Sequence, residues 1–101
     1  MRVYALVADL MDRSRISGAV PDAVFVRDPA ACADAEVVIV DLGRSGGEVA
    51  ALRATAPTAK LVCFGPHVDE ASAAAARDAG ADIVLPRSRF FHDPAAAIEP
   101  G

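Results

Sequence analysis

Tryptophan is absent from this chain and aromatic residues make up only 5% of it, although 53% of its 101 residues are hydrophobic. A core without many large rings has to be assembled from Ala, Val, Leu and Ile, which suits helices packed closely on a sheet. No apolar run approaches the roughly 20 residues that cross a bilayer, and Met1-Arg2-Val3-Tyr4 leads directly into a strand instead of a signal peptide. A cytoplasmic chain with no membrane partner is the expectation. Basic clusters are missing too: the ten Lys and Arg residues are scattered and the formal net charge is −4, which opposes the basic footprint that a phosphate backbone demands. Nucleic acid is therefore not expected as a direct partner.

Other chemistries fail for want of their motifs. The only two cysteines, Cys32 and Cys63, sit in Ala-rich or apolar segments without a C-x-x-C spacing, and read as inert buried thiols. The first strand runs into Asp9-Leu10-Met11-Asp12, not a Gly-x-Gly-x-x-Gly turn, so a dinucleotide fingerprint is lacking. Ser45 has no nucleophile-elbow frame, which opposes a hydrolase. Asp9, Asp41 and His67 all fall at strand ends and could in geometry share a metal, but a lone His in Gly-Pro-His reads as a surface residue; His92 has no partner at ligand spacing, and no metal site is expected.

What is present is a set of short apolar runs separated by Ala-rich helical stretches. Val3 to Ala8, Ala23 to Val26, Val37 to Val40, Leu61 to Phe64 and Ile83 to Leu85 are continuous rather than alternating, the mark of parallel strands buried on both faces. Between them, Asp28-Pro29 opens a brief helix through Ala35, Gly47 to Ala56 forms a second that Pro57 ends, and Asp69 caps a third from Glu70 to Ala79 closed by Gly80. The most informative segment is Val37-Val38-Ile39-Val40-Asp41. Four strand formers deliver one carboxylate to the carboxyl end of a central strand, where open α/β sheets bind ligands.

The order strand-Asp9, strand-Asp41, Leu61-Val62-Cys63-Phe64-Gly65-Pro66-His67-Val68-Asp69-Glu70 and Ala79-Gly80-Ala81-Asp82-Ile83-Val84-Leu85 resembles a response-regulator receiver domain over about residues 1 to 90. The resemblance implies an α/β, flavodoxin-like open parallel sheet of five strands in the order 2-1-3-4-5. It divides the chain into a receiver-like domain, 1–91, and a C-terminal tail, 92–101, that is a short helix or disordered.

Receiver chemistry needs a cluster of carboxylate oxygens around a hard divalent cation that offsets the phosphoryl charge. The resemblance assigns the phosphoacceptor position to Asp41 and one of the acidic pair to Asp9. The second acid is missing unless Asp12 folds back, because Ala8 and Leu10 flank Asp9. The family's hydroxyl falls on Gly65, which has no side chain. Its lysine falls on Arg87 when aligned from Gly80, or on Leu85 if Pro86 is the anchor, and an arginine fork is not a lysine equivalent. A degenerate receiver follows, non-enzymatic and acting through protein contact, with Asp41 paired to Arg87 and the domain held in one conformation. In a plainer alternative Asp41 only caps a loop. Two other readings remain: a module binding a small anion or nucleotide through Arg13, Arg15, Arg44, Arg87, Arg89 and the Gly46-Gly47 amides, and a true Mg²⁺-dependent phosphoacceptor. No cofactor is expected outside that last reading.

Only thirteen residues separate Asp9 from Ala23, leaving about two turns for the first helix, and little or no fifth helix follows Leu85. Both would cover the same sheet face in a receiver. Covering even 400 Å² of exposed apolar sheet is worth on the order of 10 kcal/mol at about 25 cal/mol per Å². A homo-oligomer or another protein partner is the expectation, with Phe90 and Phe91 as its anchors unless they fold back on their own sheet.

Overall fold

The computed structural model describes residues 1–65 and 69–99. Five parallel strands, β1 (Val3–Leu6), β2 (Val24–Phe25), β3 (Val37–Asp41), β4 (Lys60–Gly65) and β5 (Ile83–Pro86), form one sheet in the order β2-β1-β3-β4-β5. This is the flavodoxin-like order that the receiver resemblance implies. Register places Leu6 beside Val40, Asp41 beside Phe64 and Gly65 beside Pro86, so the carboxyl ends of the three central strands open on one edge.

The unbroken apolar runs are explained by cover on both sides. Val38, Val40, Leu61 and Cys63 face one core with Val49 and Leu52 of α3 (Val49–Thr55) and Ala73 and Ala76 of α4 (Glu70–Ala79). Val37, Ile39, Val62 and Phe64 face the other, with Ile16 of α1 (Leu10–Ala19), Phe90 of α5 (Arg87–His92) and Ile98. The alternation along β3 and β4 is the period of two that a strand imposes, and each face finds its own helices. Only small alanines of α4 face the sheet, so that helix can lie close to it.

The Ala79-Gly80-Ala81-Asp82 motif has a structural cause. Gly80 ends α4 at φ +124°, and a Cβ there would stand 2.7 Å from Cβ of Arg53. The Arg53 guanidinium donates to the carbonyls of Gly80 (2.7 and 3.1 Å), Pro57 (3.0 Å) and Ala59 (2.8 Å) and to Oδ2 of Asp82 (2.7 Å). That same Oδ2 accepts from the Leu61 amide at 2.8 Å, so one aspartate ties the start of β5 to β4.

Departures from the expected elements are local. α1 has ten residues, nearer three turns than two. The helix expected over 47–56 is divided into a single turn, α2 (Leu42–Ser45), a 3₁₀ turn at Gly46–Glu48, and α3, because Asp41 caps a helix of its own before the glycines weaken it. The helix expected from Asp28 to Ala35 is only a 3₁₀ turn, Pro29–Cys32. The fifth helix is short, as expected: α5 has six residues, breaks at Asp93, and is followed by α6 (Pro94–Ala97), after which Ile98 is buried at 4% exposure. Among the described residues no helix is long and apolar enough to cross a membrane.

Candidate functional site at the carboxyl edge

Among the described residues only two charged side chains are buried, Asp12 at 3% exposure and Asp41 at 5%, and both lie at this edge. Asp9 ends the loop after β1 and caps α1: its Oδ1 accepts from the Asp12 amide at 3.0 Å. That bond, assisted by the charges of Arg44 and Arg87, holds the Asp9 carboxyl below the usual aspartate range. Capping fixes the first turn of α1 and turns Asp12, three residues on, inward. The second acid that Asp9 lacks as a neighbour in sequence is supplied by the helix.

Arg87 opens α5 just past β5 and reaches across the edge to Asp12. Its Nη2 lies 2.6 Å from Oδ1 and its Nη1 3.0 Å from Oδ2, a two-pronged pair spanning 75 positions in sequence. The guanidinium carbon also sits 5.5 Å from the Phe64 ring centre and 5.2 Å from that of Phe91, within cation–π range. The hydrogen bond to Asp12 raises the Arg87 pKa, with smaller contributions from the charges of Asp41 and Asp9.

The expected pairing of Asp41 with Arg87 is therefore corrected: the guanidinium belongs to Asp12. Asp41 instead accepts from the Gly43 amide at 3.0 Å as the cap of α2, and among the described residues it forms no ion pair. The reason is geometric. Asp12 projects from a helix and can present both oxygens to a planar fork, whereas Asp41 has one oxygen engaged by the backbone immediately after it. Gly65 is buried at the end of β4 and provides no hydroxyl. His67 lies outside the described residues.

Phe90 is also corrected as a surface anchor. It is fully buried, its ring stacked on Phe64 with centroids 4.8 Å apart. Phe91 is half-buried and meets Phe64 edge-on at 5.1 Å. With so short a fifth helix, the rings themselves fill the space above β4. Of the arginines proposed as an anion rim, Arg13 donates to the Val7 carbonyl at 2.6 Å and lies over Phe25, Arg15 lies over Phe91, and Arg87 is held by Asp12; Arg44 and Arg89 are exposed. Burial pushes the Cys32 thiol to about 11 and the Cys63 thiol to about 12, so neither is a thiolate nucleophile at neutral pH.

The divalent cation that a receiver would hold does not fit these residues. Among the described residues no group of three His, Cys, Asp or Glu side chains converges closely enough to hold a metal ion. Both oxygens of Asp12 are taken by Arg87, and Asp9 and Asp41 each spend an oxygen on a helix cap. The edge is compensated by a cation the chain carries itself.

Fold and edge together define a receiver-type domain. No family model and no curated protein sequence matches the chain. Its architecture is nonetheless that of solved receivers. A response regulator from Burkholderia pseudomallei, solved with a phosphorylated aspartic acid, a calcium ion and citrate, superposes with a TM-score of 0.77 at 18% identity, over 98% of this chain and 67% of that one. A response regulator from Thermotoga maritima gives 0.74 at 14% identity, with 95% of both chains covered. A protein described as a CpaE2 pilus assembly protein, from Sinorhizobium meliloti, gives 0.69 at 16%, again over 95% of both. At these identities the likeness establishes the fold.

Proposed function

We propose that this chain is a non-enzymatic, receiver-like signalling or regulatory module that acts by protein contact and is not phosphorylated at Asp41 in the conventional, metal-assisted way. The observation that carries the reading is the two-pronged bond from Arg87 to the buried Asp12. A divalent cation would have to displace that guanidinium, and an acceptor aspartate without the cation faces the full charge repulsion of a phosphodonor. Gly65 removes the hydroxyl that would read out such an event. The likeness to a protein described as taking part in pilus assembly supports a contact role, since it places the same fold outside the response regulators by name. The contacted partner is a protein, a second copy of this chain included.

The small-anion alternative loses support because three of its five arginines are already engaged within the domain. Incubation with Mg²⁺ and acetyl phosphate, followed by intact-mass measurement, tests the reading. The wild-type chain is expected to remain unmodified. A phosphoryl adduct that disappears in Asp41→Asn would replace this proposal with the phosphoacceptor reading.

A further inference from the structure

We infer that the corner between α5 and α6 is a docking cleft for an acidic peptide segment, one that places an apolar side chain between carboxylates. This rests on the protein-contact reading and names its surface. The helix α5 is two-faced over its six residues. Arg87, Phe90 and Phe91 turn toward the sheet, where the rings pack on Phe64 and the guanidinium on Asp12. Its other face, Ser88, Arg89 and His92, lines a cleft of about 480 Å³ with Leu85, Ala96 and Ala97, and Arg89 and His92 are exposed there. Ser88 and His92 are four residues apart and Arg89 and His92 three, so the three share one side of the helix.

Two features give the cleft its chemistry. Arg89 and His92 have no hydrogen bond, ion pair or ring contact among the described residues, unlike Arg2, Arg13, Arg15, Arg53 and Arg87. The acid nearest in sequence cannot neutralise them, because Asp93 Oδ1 accepts from the Ala96 amide at 3.1 Å as the cap of α6. Open donors therefore stand above a floor and wall of Leu85, Ala96 and Ala97. The break at Asp93 creates the cleft by sending α6 away from the line of α5. A volume of this size accepts a large side chain with its flanking backbone. A guanidinium beside it recognises a carboxylate through paired N–H donors. The chain's net charge of −4 opposes long-range attraction of an acidic partner, so recognition has to come from these close contacts, with modest affinity that falls as salt rises.

The test is an amide chemical-shift titration of the full chain with two end-capped peptides, Glu-Leu-Leu-Glu and Lys-Leu-Leu-Lys. The acidic peptide is expected to shift Leu85, Ser88, Arg89, His92, Ala96 and Ala97, and the basic one is not. Arg89→Glu/His92→Glu changes only exposed positions and is expected to weaken the acidic peptide by about fivefold to tenfold while its circular dichroism is unchanged. Equal responses to both peptides, shifts centred elsewhere, or indifference to the charge reversal would overturn the inference. So would self-association of the chain alone that the same double substitution abolishes, since that assigns the cleft to a second copy. A failed titration together with an unmodified Asp41 overturns the cleft and leaves the contact reading standing, whereas phosphorylation of Asp41 removes that reading whatever the peptides do.

Discussion

Two arginines organise the two ends of this sheet, and they do so differently. At the entrance to β5, Arg53 spreads its donors over three backbone carbonyls and Asp82, with side-chain exposures of 27% and 48% for the ionic pair. At the opposite, carboxyl edge, Arg87 commits its fork to one carboxylate, and there the exposures are 34% and 5%. The first is a clip whose acid remains wet, so losing the acid leaves carbonyl contacts in place. The second compensates an acid that the fold has removed from water, so losing the base strands a charge. A pair of the same chemistry is structural support in one place and a constraint on function in the other.

Breaking the second pair should have the larger effect. Arg87→Met leaves Asp12 buried without its partner, and after discounting for the one-third exposure of Arg87 it is expected to destabilise the domain by about 2–3 kcal/mol in chemical denaturation. Asp82→Asn, as the matched change at the other end, should cost clearly less. Gly80→Ala sharpens the comparison from the clip side. A side chain at φ +124° is strained and its Cβ would press on Arg53, so a loss of roughly 2 kcal/mol is expected by the same measurement.

The smallest effect concerns pH. The Asp9 carboxyl titrates below its ordinary 3.8 in the folded state, so its contribution is present above that value and is lost as pH falls through the lower, folded one. Asn caps helices as well as Asp does, so Asp9→Asn should keep neutral-pH stability while flattening the acid limb of the stability curve. Unchanged acid sensitivity in that variant would show that the capping bond does not hold the carboxylate ionised.

What is legible in the sequence is what has a local cause. The strands can be read because continuous apolar runs of three to six residues are too short for buried helices, and Asp41 can be placed because it directly follows one. Gly80 is legible as a helix stop, although its contact with Arg53 lies 27 positions away and leaves no trace in the spacing. The partner of Arg87 is not legible, because three aspartates compete for it. The choice depends on how the Asp9 cap rotates the first turn of α1, a tertiary fact. Phe90 and Phe91 are adjacent on a helix of six residues, too short for periodicity to say which turns inward. The cap that Asp41 makes is hard to read for a related reason: the helix it opens is a single turn, with no apolar repeat to announce it.

The central claim is that the chain neutralises its own carboxyl edge through Arg87 and Asp12. A double-mutant cycle with Asp12→Asn and Arg87→Gln, measured by urea denaturation, tests it most directly. The account predicts a coupling of about 2 kcal/mol, with the double variant more stable than Arg87→Gln alone. Additive losses with no coupling would mean that the guanidinium does not compensate the buried acid, and the edge would be open to another cation after all.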